Sequence, residues 1–123
     1  MKACSRETAL RLKRFEVTEK WRKVAEMEAM IADFERAAND LTRQIAAEEK
    51  RTGIKNRGNC AYSTFASAAR LRCDNLLRSA ADLKQALFAA RREHESTAAE
   101  LSRLNPEAPR DKDPNPALRL LPF

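Results

Sequence analysis

Glycine is almost missing: the 123-residue chain has two, Gly53 and Gly58. A phosphate-cradling loop needs several glycines close together, so P-loop and dinucleotide-binding chemistry are excluded. Proline is missing from the first 105 residues, and all five prolines (Pro106, Pro109, Pro114, Pro116, Pro122) follow Asn105. Nothing of that kind interrupts a helix before that point. The three cysteines, Cys4, Cys60 and Cys73, form no CxxC pair, and His94 is the single histidine. A structural zinc site wants four such ligands in close pairs, so no metal site is expected, and the thiols read as reduced and cytosolic. No apolar run approaches the roughly 20 residues of a membrane span. The opening Met1-Lys2-Ala3-Cys4-Ser5-Arg6-Glu7 lacks the apolar stretch of a secretion signal.

What remains is rich in Ala, Arg, Glu, Leu and Lys, with one Trp and one Tyr. That composition belongs to long helices or a coiled coil rather than to an enzyme with a deep core. The length fits one domain. The net charge of +6 is unevenly placed. Residues 1–24 carry eight Lys/Arg against three Glu, and residues 25–49 carry two against seven acids. Residues 50–72 then carry six (Lys50, Arg51, Lys55, Arg57, Arg70, Arg72) and no acid. Basic ends and an acidic middle point to separate contact zones, although charge runs commonly mark solvated faces.

Leu10, Val17, Val24, Ile31, Ala38 and Ile45 recur every seven residues. Trp21, Met27, Phe34 and Leu41 fill the alternate positions, which makes one narrow apolar stripe. The second half repeats the pattern with Tyr62, Ala69, Leu76, Leu83, Ala90, Thr97 and Leu104, beside Ala66, Cys73, Ala80, Leu87, His94 and Leu101. The fold expected is all-α: a long antiparallel two-helix coiled-coil hairpin over residues 5–105. Helix one runs over about 5–52 with Ser5 as N-cap and Glu7 in its first turn. The turn occupies 53–58. Helix two, of equal length, runs over about 59–105 with Asn59 as N-cap, stopping before Pro106. A disordered, proline-rich tail follows over 106–123, its closing Leu118-Arg119-Leu120-Leu121-Pro122-Phe123 a weak candidate docking motif.

Folding the chain about residues 55 and 56 tests the hairpin. The reflection pairs Ile45 with Ala66, Ala38 with Cys73, Ile31 with Ala80, Val24 with Leu87, Trp21 with Ala90, Val17 with His94 and Leu10 with Leu101. Large residues meet small ones, the condition for layers without voids. A slip of one heptad would set Ala38 against Ala80 and leave a gap. Leu12, Phe15, Met30, Phe65, Leu71, Leu77 and Phe88 lie off the stripe. Leu77, Ala81 and Phe88 share a second face, which reads as a partner surface.

Chemistry finds little support. His94 falls in the seam beside Val17 and Trp21, with no nucleophile placed for it by spacing. Glu26, Glu28, Asp33, Glu35 and Asp40 are spread around helix one. No catalytic residue, cofactor or metal is expected, and the chain reads as a non-enzyme. A basic nucleic-acid-binding coiled coil, with Tyr62 and Phe65 beside the cations, and a generic self-associating scaffold are the alternatives.

One likeness is carried by particular residues. Arg11-Leu12-Lys13-Arg14-Phe15-Glu16-Val17, Glu19-Lys20, Val24-Ala25, Ile31-Ala32-Asp33-Phe34-Glu35 and Glu48 to Ile54 resemble the first helix of alphaproteobacterial FliJ proteins. Tyr62-Ser63-Thr64-Phe65-Ala66, Asp74-Asn75-Leu76 and Ser79-Ala80-Ala81-Asp82-Leu83 fit the second, so the likeness covers residues 5 to about 104. FliJ proteins are antiparallel two-helix coiled coils of the flagellar type III export apparatus, similar to the central stalk of rotary ATPases. The resemblance implies a cytoplasmic chain at the inner face of the cell membrane. Its implied partners are the hexameric export ATPase, the cytoplasmic domain of the export gate and export chaperones. Arg11, Lys13, Arg14 and Phe15 are then expected at the ATPase end, and Lys50, Arg51, Lys55, Arg57, Tyr62 and Phe65 at the turn end toward the gate. Ala69, Arg72 and Leu76 depart from the enteric members of the family.

Overall fold

A computed structural model describes residues 2–105, with side chains from Ser5 onward. Two helices, α1 (Lys2–Thr52) and α2 (Thr64–Leu104), pack against each other, and the described residues include no strand. The expected tail, 106–123, lies outside the described residues. α1 begins upstream of Ser5, because Lys2-Ala3-Cys4 contains no breaker to stop it, so Ser5 lies inside the helix rather than capping it. The helices also differ in length, 51 residues against 41. The connection takes residues 53–63 rather than 53–58, which shortens α2 at its start, while α1 gains residues upstream of Ser5.

The connection is built from side-chain and main-chain turns. Gly53, at φ 75°, is the one described residue with positive φ. Its N–H donates to the Glu49 carbonyl at 2.8 Å, the left-handed stop of an α-helix. Ile54 follows and packs on the apolar cluster of the turn, the contact that commonly accompanies such a stop. Gly58 keeps an ordinary backbone; its N–H closes a turn on Asn56 Oδ1 at 2.9 Å. Asn59 does not cap α2. Its Oδ1 accepts from Ala61 N–H at 2.9 Å, and its carbonyl accepts from Tyr62 N–H. The cap is Ser63, whose Oγ accepts from Ala66 N–H at 3.2 Å. Both residue types serve as caps, and the choice fell to the one that leaves Tyr62 free to turn inward.

The chain forms two compact units, residues 2–26 with 86–105 and residues 27–85. In the 27–85 unit, Ile31, Ala38, Ile45, Tyr62, Ala66, Ala69, Cys73 and Ala80 are buried. Cys73 Sγ donates to the Ala38 carbonyl at 3.5 Å, the pairing expected from reflection. Ile45 clusters with Ala66, and Leu41 packs against the same group as Ala69. Ion pairs from Glu35 to Lys84 and from Glu49 to Arg70 connect rising numbers on α1 to falling numbers on α2, so the helices of this unit run antiparallel. In the other unit, Val17, Val24, Leu87, Ala90 and Thr97 are buried, and Lys13–Glu100 and Lys20–Glu93 establish the same antiparallel sense. Leu104 departs from expectation: it is 40% exposed. Reflection sets it opposite Glu7, which is exposed and offers no apolar partner.

Ile31 and Ala80 supply a direct test of this register. With Cys4, Cys60 and Cys73 replaced by alanine, the pair Ile31→Cys and Ala80→Cys is expected to crosslink within one chain in dilute solution with a short thiol-reactive reagent. Exclusively intermolecular products on a denaturing gel would refute the pairing.

Candidate interaction surfaces

Around the connection, Tyr62 is a packed residue, 8% exposed, rather than an open contact. Its hydroxyl donates to Glu49 Oε2 at 2.8 Å and accepts from Arg70 Nε at 2.8 Å. Arg70 Nη2 closes the triangle on Glu49 Oε2 at 2.7 Å. Arg70, then the Tyr62 hydroxyl, hold the Glu49 carboxyl below its ordinary range, with Lys55 adding its field. Next to it, Glu48 pairs with Arg51 and accepts from Ser63 Oγ at 3.2 Å, and the Arg51 bond likewise lowers its carboxyl. These bonds tie the end of α1 to the start of α2. Of the residues expected at the turn end, Arg51 and Tyr62 are therefore engaged within the fold. Lys50, Lys55 and Arg57 are exposed, as is Phe65 at 52%.

At the expected ATPase end, Arg11 is exposed and reaches Glu7 only at 3.9 Å. Arg14 is exposed, and Phe15 is 65% exposed beside an equally exposed Leu12. Lys13 is different. It is half-buried, with Nζ 2.8 Å from Glu100 and 3.0 Å from Glu16, and the Glu100 bond raises its pKa. Lys20 repeats the arrangement seven residues on, with Nζ 3.2 Å from Glu93. Both follow a seam residue, Leu10 or Val17, by three positions, and both are half-buried while their ammonium groups reach carboxylates on α2. These seam lysines were missed because lysine does not register in an apolar pattern. The signal was present in the matching seven-residue spacings of Lys13–Lys20 and Glu93–Glu100.

His94 belongs to the same unit. It is half-buried, and its Nε2 is buried without a hydrogen-bond partner. Burial pushes the imidazole below its ordinary value, against a weaker upward pull from Glu95. Lone unpaired groups of this kind weaken packing unless something compensates. Phe88 is 64% exposed with the Arg92 guanidinium 5.8 Å from its ring centroid. In the 27–85 unit, Met30, Leu71 and Leu77 are also exposed.

Among the described residues no three His, Cys, Asp or Glu side chains gather where a metal ion would sit. No described helix is long and apolar enough to cross a membrane. What the surface offers is charge and isolated apolar side chains, suited to binding other molecules. Compared with family models, curated proteins and solved structures, the chain matches none.

Proposed function

We propose that the chain is a non-enzymatic adaptor of the flagellar protein export apparatus. In this reading it is a FliJ-like antiparallel coiled-coil hairpin, cytoplasmic and held at the inner face of the membrane by protein contacts. It links the hexameric export ATPase to the cytoplasmic domain of the export gate and assists chaperone or substrate handling. The observation that carries the reading is where the FliJ-like residues fall. The Arg11-to-Val17 and Tyr62-to-Ala66 stretches each contain buried residues that hold the helix pair together and exposed ones left for a partner. Arg11, Arg14 and Phe15 supply an accessible surface for the ATPase. Lys50, Lys55, Arg57 and Phe65 supply one for the gate. Lys13 and Tyr62 support those surfaces from within the fold, while Arg51 stays exposed and pairs with Glu48 on its own helix.

Co-purification tests the reading. The full chain is expected to retain the export ATPase of its own cell. Arg14→Glu combined with Phe15→Ala is expected to lower retention at least tenfold, the loss typical of an exposed aromatic and a basic contact together. No retention by the unaltered chain, together with normal motility in a deletion strain, would sink it. The exposed Leu12, Phe15, Leu71 and Phe88 favour one second reading, a self-associating scaffold. A concentration-dependent dimer in sedimentation equilibrium would support that scaffold, and a monomer would remove it.

A further inference from the structure

The connection between α1 and α2 carries a charge surplus that the fold does not use. From residue 50 to residue 72 there is no acid. The nearest acids below it, Glu48 and Glu49, are both occupied, Glu48 by Arg51 and Ser63 and Glu49 by Arg70 and Tyr62. Arg51 and Arg70 are neutralised in the same bonds. Lys50, Lys55, Arg57 and Arg72 remain exposed and outside any ion pair with the described residues. Lys55 adds only its field to Glu49. The connection that bears Lys55 and Arg57 is held by the Asn56 and Asn59 turns and by the Gly53 stop, so the cations sit on an ordered support. Phe65, the second residue of α2, follows the connection and is half exposed.

We propose that this turn binds a bilayer surface bearing anionic lipids. Lys50, Lys55 and Arg57, at the end of α1 and in the connection, have no acid between them in the chain and favour a partner whose charge is equally uniform. The patch also lies on a turn and not along a groove, and a single aromatic does not make a stacking platform for successive bases. Each basic side chain near an anionic leaflet adds a small, additive attraction that falls off within a Debye length. A half-exposed phenylalanine has its most favourable position in the interfacial layer. The contact is weak and reversible, and it would orient the turn toward the membrane independently of any protein partner.

Vesicle co-sedimentation of the full chain tests this. Binding is expected to phosphatidylcholine vesicles containing phosphatidylglycerol, to weaken with added salt, and to be lost on phosphatidylcholine alone. Lys55→Gln with Arg57→Gln is expected to weaken it roughly 25-fold, about fivefold for each cation removed. Phe65→Ser is expected to weaken it further without changing the salt dependence. All three residues are exposed, so the helix pair persists, and circular dichroism checks that it does. Equal binding to both vesicle types, or no loss in the double variant, would overturn the proposal. Capture of a duplex oligonucleotide in place of vesicles, with log K falling about 0.9 per phosphate contact, would replace it with nucleic-acid binding. The double variant leaves Arg11, Arg14 and Phe15 untouched. Retention of the export ATPase therefore reports on the adaptor reading separately, and either result stands without the other.

Discussion

Replacing Ala66 by leucine is expected to destabilise the protein by about 3 kcal/mol, the upper end for overpacking a tight core. Ala66 is fully buried, at 0% exposure, in a cluster with Ile45, Tyr62 and Ala69 against which Leu41 and Ile54 pack. Reflection places it across from Ile45, the large half of a large-against-small layer. A leucine there has no free volume to enter, so either its rotamer is forced or α1 and α2 separate locally. Separation also pulls Tyr62 off Glu49 and Arg70, where two bonds at 2.8 Å and one at 2.7 Å now hold the start of α2. A neighbour gives the control. Ala68 is exposed two residues along, and Ala68→Leu is expected to change stability by less than about 0.5 kcal/mol. Thermal unfolding separates the two, since about 3 kcal/mol in a domain this size lowers Tm by on the order of 10 °C or more. Equal Tm values for the two variants would refute the packing described for the turn.

The second large effect is a loss of stability as pH falls below neutrality, carried by His94. Burial holds its folded-state pKa below the ordinary value of 6.5. In the unfolded chain the imidazole therefore takes up its proton first as the pH falls. The contribution of neutral His94 is fully present above about 6.5 and is lost progressively between that value and the lowered folded one. Reflection sets Val17 opposite, bracketed by Lys13 and Lys20, whose ammonium groups are already engaged by Glu100 and Glu93. On its own helix, Glu95 is the acid that favours the charged form, and its pull is weaker than the burial. Carboxylates act in a different window. Glu48, Glu49 and Glu100 have lowered pKa values, so their contributions hold above the ordinary 4.5 and disappear only as the pH falls through the lowered values.

Urea unfolding followed through Trp21, the single tryptophan and a half-buried member of the same unit, reads this directly. Stability of the unaltered chain is expected to decline between pH 7 and pH 5. His94→Leu is expected to be flat over that range and more stable by about 1 kcal/mol at neutral pH, since it removes an unpartnered buried nitrogen. His94→Gln keeps a polar side chain but cannot titrate, so it is expected to be flat without the gain. An unchanged slope in both variants would assign the acid sensitivity elsewhere.

Much of this arrangement was legible in the chain because it depends on period alone. Val17, Val24, Ile31, Ala38 and Ile45 recur every seven residues and are all buried. Ala66, Cys73, Ala80 and Leu87 answer them and are buried too. What escaped depends on chemistry that periodicity does not encode. Lys13 and Lys20 follow the seam residues Leu10 and Val17 by three positions, and their charges reach across to Glu100 and Glu93. An apolar count passes over both. Asn59 and Ser63 are equally good caps by residue type; only the inward turn of Tyr62 selected Ser63. Tyr62 itself shows the limit for interaction sites. Its spacing with Phe65 singled out both, yet one is 8% exposed and the other 52%.

The sequence alone determined that the chain is helical on both sides of a connection opened by Gly53, most of the residues that line the seam, and where the charge accumulates. Two glycines, no early proline and a seven-residue rhythm leave the backbone few other ways to bury its apolar side chains. Tertiary structure decided which polar groups are available. Six cations surround the turn, and folding engages Arg51 and Arg70 with Glu48 and Glu49 while leaving Lys50, Lys55, Arg57 and Arg72 to solvent. Arg51 and Glu48 are three residues apart on α1, a pairing that spacing encodes, whereas Arg70 meets Glu49 across the helix pair, and distance along the chain does not encode that.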